Sequence, residues 1–266
     1  MKNNFTREHL LFLRSQKRKK ILVHVTQVAV LILMLGLWEL AARLEWIDSF
    51  IMSSPSRIWN TLTELVANGT LFKHMGVSLL ETMAGFAIGT ALGYIVAVVL
   101  WWNDFLKNVF EPYVVVLNSL PKIALGPIII IWAGTGKASI ITMAVLISVV
   151  ITTITILNGF ISTDKEKALL LYSMGANKLQ IFTKLVAPCN VPTLMATLKI
   201  NVGMAWIGSI MGEYLVSKEG LGYLIVYGSQ VFRLDLVMTC TLVLCCLAGL
   251  MYAIVAILEK IVVKRF

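Results

Sequence analysis

Charge is scarce in this chain: only 14% of its 266 residues are Asp, Glu, Lys or Arg, and 58% are hydrophobic. An ordinary soluble domain carries roughly a quarter charged residues, so the apolar excess needs lipid rather than one buried core. Histidine is rarer still. His9, His24 and His74 are scattered, no Ser/His/Asp grouping presents itself, and no carboxylates are paired in a catalytic setting, so no catalytic residue and no enzymatic activity are expected. The four cysteines, Cys189, Cys240, Cys245 and Cys246, lack metal-ligand spacing and read as small buried hydrophobes, which leaves no metal site. Gly134-Thr135-Gly136-Lys137-Ala138 has the flavour of a phosphate loop but lacks the upstream glycine and the final Ser/Thr, so no nucleotide or other cofactor is expected. Nothing Pro/Ser/Gly-rich or low in complexity divides the chain. A basic segment over 1–20 therefore precedes a single membrane domain over 21–266.

What is present is a series of apolar spans. At about twenty residues per crossing, six candidates stand out: 21–42, 77–100, 112–133, 138–160, 191–215 and 236–258. The fold class is all-α polytopic membrane protein. The 21–42 run is too long for a cleavable signal core and reads as a retained signal anchor. The net charge of +9 follows the spans rather than a nucleic-acid patch. With the amino terminus in the cytoplasm, fifteen basic residues fall inside, among them Lys2, Arg7, Arg14, Lys17, Arg18, Lys19, Lys20 and Arg265, against six outside. The positive-inside bias then puts both termini and the 162–189 loop in the cytoplasm.

Within the spans, Gly85, Gly89 and Gly93 repeat every fourth residue and strip one helix face of side chains, a packing seam either within or between subunits. The third span holds Leu120-Pro121-Lys122 and Gly126-Pro127, two interruptions that suit a broken helix lining protein or an aqueous cavity. Lys122 either supports that cavity or snorkels to the surface, and Lys199 is read as snorkelling. Pro121, Lys122, Gly126, Pro127, Met204, Trp206 and Glu213 are the candidate pathway residues. Glu81 and Glu213 fall near the outer boundary, where Glu213 is either part of a mouth or simply solvated. Pro55 to Asn68 reads as a short amphipathic helix on the outer face, either a lid or docking element or interfacial packing.

The longest polar interruption lies between Thr163 and Pro192 and carries Lys165, Lys167, Lys178 and Lys184. A helix opens at Thr163 or Asp164, has Glu166 in its first turn to complement the dipole, and stops at Gly175. A second stretch, Lys178 to Val186, places Leu179, Phe182, Leu185 and Val186 on one side and ends before Pro188. The result is a compact protrusion that another protein could grip, or a hairpin lying on the bilayer.

These residues resemble the inner-membrane permease subunits of ATP-binding-cassette (ABC) importers, in the branch handling nitrate, taurine, aliphatic sulfonates, bicarbonate and thiamine- or riboflavin-type compounds. That family's loop runs Glu-Ala-Ala, three residues, Gly, nine residues, Ile-x-Leu-Pro. Aligned on Gly175 and Pro188, the Ile and Leu positions are Leu185 and Ala187, and the Glu-Ala-Ala positions are Leu169-Leu170-Leu171. The signature glutamate is missing, with Glu166 three residues earlier. Pro55-Ser56, Leu120 to Pro127 leading to Trp132-Ala133-Gly134, and Gly212-Glu213 followed by Gly220-Leu221-Gly222-Tyr223-Leu224-Ile225 match in order and spacing. The resemblance implies a permease homodimer in the bacterial inner membrane. Two cytoplasmic ATPase subunits would grip the loop through Asp164, Glu166, Ala168, Leu169, Tyr172, Met174, Gly175, Ala176 and Pro188, and an extracytoplasmic solute-binding protein would deliver a small solute. The rival reading is a stand-alone secondary transporter or channel, which calls for inverted repeats that this chain does not show.

Overall fold

The structure, a computed structural model, describes the backbone of residues 7–264 and the side chains of residues 15–264. Lys2 and Arg265, and the side chains of Arg7, His9 and Arg14, lie outside the described residues. Every regular element among those described is helical. The long helices are α1 (Arg7–Arg43), α4 (Thr70–Trp102), α7 (Lys137–Ile161), α11 (Val191–Val216) and α13 (Leu234–Val263). Between them lie α2 (Ser49–Met52), α3 (Pro55–Ala67), α5 (Asp104–Ser119), α6 (Gly126–Ala133), α8 (Lys165–Ser173), α9 (Lys178–Ile181), α10 (Ala187–Cys189) and α12 (Leu221–Gln230). Five helices are long and apolar enough to cross a membrane, and the bent pair α5 and α6 makes six if counted as one span.

The centre is a stack of α4, α7 and α11, and small residues let these three backbones approach. On α4, a Cβ at Gly89 would stand 2.7 Å from the Ser148 Cβ, and one at Gly93 would stand 2.5 Å from the Thr152 Cβ. Gly85 faces Ala144 in the same way. The seam is therefore internal to the subunit. An adjacent face of α7 is met by a second pair that the sequence reading passed over: Gly208 and Gly212 of α11 press on the backbone of Ala144 and Ile140. Without a hydrophobic drive between helices in lipid, this close contact supplies the dispersion that holds them. Polar bonds cross the same stack. The Thr82 and Ser209 hydroxyls lie 2.6 Å apart, and the Asn201 amide donates to the hydroxyls of Thr90 and Thr152.

The third expected span takes a different form. It is broken, as the prolines suggest, but begins earlier, at Asp104, and consists of two helices bent by 89°, the geometry of a broken span or a re-entrant loop. Asn103 caps α5 by accepting from the Phe105 and Leu106 amides, and Leu120 before Pro121 is forced extended, with ψ 138°. A 3-10 turn, Lys122–Leu125, turns the corner. Gly126 and Pro127 are not an interruption: they open α6, where a first-turn proline costs no hydrogen bond.

The 55–68 helix forms as expected. Pro55 follows the N-cap Ser54, whose hydroxyl accepts from the Arg57 amide. Arg57 then fastens α3 to the start of α13, donating from both Nε (3.2 Å) and Nη2 (2.7 Å) to Asp235 Oδ2. Lys199 does not simply snorkel: its ammonium pairs with Glu259 of α13 at 2.7 Å, because a half-buried cation finds an anion on the adjacent helix. Of the cysteines only Cys240 is buried; Cys189, Cys245 and Cys246 are exposed, on faces that the bundle leaves uncovered.

Candidate functional site

At one end of the bundle the 162–189 loop is built from the neck outward. The entry and exit segments of the neck are tied by Asn190, whose amide donates to the Thr163 hydroxyl and to the Val186 carbonyl, each at 2.8 Å. Gly159 permits this, since a Cβ there would stand 2.5 Å from Asn190 Oδ1. Beyond the neck, Asp164 caps α8 by accepting from the amides of Glu166 (3.0 Å) and Lys167 (3.3 Å). Those bonds, the Lys167 amide first, hold the Asp164 carboxyl below its ordinary range.

Gly175 ends α8 with φ +85°. Its amide donates to the Tyr172 carbonyl and the Ala176 amide to the Leu171 carbonyl, the paired 5→2 and 6→1 bonds of a Schellman cap. A capping box between Asn177 and Gln180 starts α9. The second stretch does not end before Pro188. Helical backbone runs on through Cys189, because a π turn over Phe182–Val186 lets the Ala187 amide bond the Phe182 carbonyl and accommodates the donorless Pro188.

The loop is braced against α4. The Lys178 ammonium donates to the Trp102 carbonyl at 2.7 Å and lies 5.5 Å over the Trp101 ring. Trp101, Phe160 and Phe182 pack as an aromatic box, with Trp101–Phe182 centroids 5.1 Å apart and Phe160–Phe182 5.6 Å. Ala168 and Ala176 are half-buried; Ala168, Lys165 and Thr163 line a cavity of about 330 Å³ together with Trp101, Asp104 and Phe160. In contrast, Leu169, Leu170, Tyr172 and Met174 stand out from the head of the loop, Met174 at 75% exposure. Leu179 is also exposed rather than packed with Leu185 and Val186. Glu166 is exposed beside this apolar head.

The candidate pathway residues are not brought to one place. Lys122 is half-buried and donates to the Asn118 carbonyl at 3.3 Å, while Pro121 and Pro127 are exposed. Gly126 is buried where α6 nears α11, and a Cβ there would meet Leu215. Trp206 packs with Val202, Met251 and Val255, its indole N–H unpaired, and Met204 is half-buried on the same helix.

Glu213 is neither solvated nor free. It is 1% exposed, and its Oε2 accepts the Gly222 amide at 2.7 Å. Two α4 side chains complete the arrangement at the start of α12: His74 Nδ1 accepts the Gly220 amide at 2.8 Å and the Ser78 hydroxyl accepts the Leu221 amide at 2.7 Å. Three amides that a helix start leaves unpaired are thus met by α4 and α11. His74 and Ser78 were missed in the sequence, although i, i+4 spacing puts them on the same α4 face as Thr82 and, a turn further, Gly85. No group of three or more His, Cys, Asp or Glu able to hold a metal is found among the described residues.

A stack of membrane-length helices with one capped, braced helical loop at its end defines a polytopic all-α membrane protein. The chain belongs to the family of binding-protein-dependent transport system inner membrane components, the ABC transporter permeases, which it matches over residues 89–266. It is 31% identical over 192 residues to the formylaminopyrimidine transport permease protein ThiX of Halalkalibacterium halodurans, covering 72% of this chain and 76% of that one. It is 26% identical over 234 residues to the riboflavin transport system permease protein RibX of Chloroflexus aurantiacus, covering 88% and 87%. Its fold is similar to that of a bacterial ABC transporter involved in the import of the acidic polysaccharide alginate, with a TM-score of 0.64 at 13% identity over 93% of this chain and 98% of that chain.

Proposed function

We propose that this permease is the transmembrane subunit of an ATP-driven importer and that the 164–188 loop is the element through which cytoplasmic ATPase subunits move it. The observation that carries the reading is the loop's construction: an exposed apolar head, Leu169, Leu170, Tyr172 and Met174, on a base locked by Asn190, Lys178 and the aromatic box. A hairpin resting on the bilayer has no need of that bracing. An element that takes a push and passes it to α4, α7 and α11 does. The absent signature glutamate is compatible with this, since the contact offered is apolar rather than an ion pair at Leu169. ATP-driven closure of the ATPases would bring two such loops together and tilt the attached helices, so that each state is favoured by its own contacts.

The same reading places both termini in the cytoplasm, on the basic-residue asymmetry, and residues 21–266 in one domain after a basic 1–20 segment. It pairs two copies of the chain, for which the bare apolar face of α6, with Ile131 and Trp132 each at least 80% exposed, supplies a surface. An extracytoplasmic binding protein delivers the solute. The relatives are named for formylaminopyrimidine, aliphatic sulfonates and riboflavin, and the solute is a small molecule of this range, a sulfonate, nitrate or other anion or a thiamine- or riboflavin-type compound.

Gly175→Val tests the coupling. Nothing lies within 4 Å of Gly175, so the substitution acts only through its left-handed backbone, at roughly 1–2 kcal/mol. ATPase co-purification and uptake should both fall, whereas normal uptake with full ATPase retention overturns the assignment.

A further inference from the structure

At the end of the bundle opposite the loop, a cavity of about 330 Å³ opens between the start of α4, the start of α7 and the segment after α11, with Val77, Glu81, Lys137, Ile140, Lys218 and Glu219 in its lining. Glu81 is 2% exposed and neither of its carboxylate oxygens has a hydrogen-bond partner. Glu213, near the end of α11 and outside the lining itself, has Oε2 committed to Gly222 and Oε1 unpartnered. Glu81 thus brings two unpaired, buried carboxylate oxygens to the lining, and the Glu213 carboxylate behind it leaves a third. A buried carboxyl left unpaired is costly, and it persists either by keeping its proton or by meeting a partner from outside the chain, for which the cavity beside Glu81 gives room.

The chain's own cations do not. Among the described residues neither Glu81 nor Glu213 forms an ion pair within 4 Å, and Lys73 is taken up by Glu219 at 2.7 Å. Lys137 and Lys218 are exposed residues of the lining and form no ion pair among the described residues. Nor does the donor set suit a metal ion, which needs more ligands than two carboxylates, and no metal-competent cluster is found among the described residues. His74 is already engaged by the Gly220 amide.

We propose that this cavity is a binding site for a small, N–H-rich organic cation of amine or amidine type, whose donors are received by Glu81 with Glu213 behind it. Planar N–H pairs match a carboxylate in bidentate fashion, which gives both energy and orientation, and the cavity has room for one ring. Lys137 and Lys218 in the same lining set a like charge against such a cation, which the Glu81 contact has to outweigh, and they favour a ligand with an electron-rich or anionic tail. The proposal deepens the import reading by naming a substrate class and rests on it for that meaning, but binding to the cavity is measured without transport.

The test uses the full chain in lipid nanodiscs, titrated calorimetrically with three molecules of nearly one shape: benzamidine (cationic), benzamide (neutral) and benzoate (anionic). Benzamidine should bind at least tenfold more tightly than the other two. Glu81→Gln, which keeps the size of the side chain, should remove that preference. Lys137→Met, which takes away a like charge at the entrance, should tighten benzamidine several-fold and so guards against a folding artefact in the first variant. Equal binding of all three probes, tighter benzoate binding, no detectable binding to the wild-type chain, or benzamidine binding unchanged by Glu81→Gln overturns the proposal. A loss of ATPase coupling in Gly175→Val with these affinities intact would leave the site standing on its own.

Discussion

The Lys178 ammonium caps the carboxyl end of α4 through the Trp102 carbonyl while resting on the Trp101 ring, joining the loop to a helix 76 positions earlier in the chain. One side chain thus carries both a charge-assisted hydrogen bond and a cation–π contact between the element that would receive force and one that would transmit it. Arg in its place would not reproduce the compact point charge.

Lys178→Met should therefore loosen the loop without unfolding the bundle. A cation–π contact at a partly exposed site is worth about 0.5–1 kcal/mol, with the hydrogen bond in addition. On the coupling reading proposed above, the expected outcome is a several-fold drop in the ATPase stimulation that a loaded binding protein would produce, with ATPase still retained on purification. Unchanged stimulation would mean that the brace transmits nothing.

Gly89→Val should strike the helix stack itself. The new Cβ would press on Ser148 and on the Val145 backbone at 3.3 Å, so the helices must part, at about 1–3 kcal/mol for overpacking. Gly36→Val on α1, where nothing lies within 4 Å, is the matched control. Thermal melting in detergent should drop for the first and stay put for the second.

Asn201→Ala removes the amide that serves Thr90 and Thr152 together. Interhelical polar contacts in membranes are worth about 0.6–1.7 kcal/mol, and a loss of that size in reversible unfolding is expected, shared between the two threonine contacts in a double-mutant cycle.

A pH dependence follows from the pair between Lys73, at the start of α4, and Glu219, which lies beyond the end of α11. The Lys73 ammonium, hydrogen-bonded to the carboxylate, holds Glu219 below its ordinary range. A carboxyl lowered in the fold adds stability above its unfolded value and loses it as the pH falls through the folded one. The difference in melting temperature between wild type and Lys73→Met should accordingly be present at neutral pH and vanish in acid below the usual carboxylate range. Both side chains are largely exposed, so the difference is small and shrinks with salt.

Local pattern made much of this legible. Apolar run length gave the five long helices, and the four-residue spacing of Gly85, Gly89 and Gly93 gave a seam. Asp164 and Gly175 announced the ends of α8 because capping chemistry is decided by the residues themselves. The same spacing in Gly208 and Gly212 carried an equal signal and was overlooked. Pro188 misled, since a proline read alone means a helix end, whereas a π turn five residues wide can absorb it. Pairings such as Asn190 with Thr163, Lys178 with Trp102 and Arg57 with Asp235 depend on which helices lie side by side, and nothing local encodes that. Glu213 misled for the same reason: a carboxylate beside glycines looks solvated until another helix start is brought onto it.

The three caps on α12 come from two different helices, His74 and Ser78 from α4 and Glu213 from α11. A short element pinned in this way cannot follow both supports if they slide past one another. Any motion that separates the two must either carry α12 with one of them or leave at least one buried amide bare, which makes the first turn of that helix a natural gauge of whether the transporter has changed state.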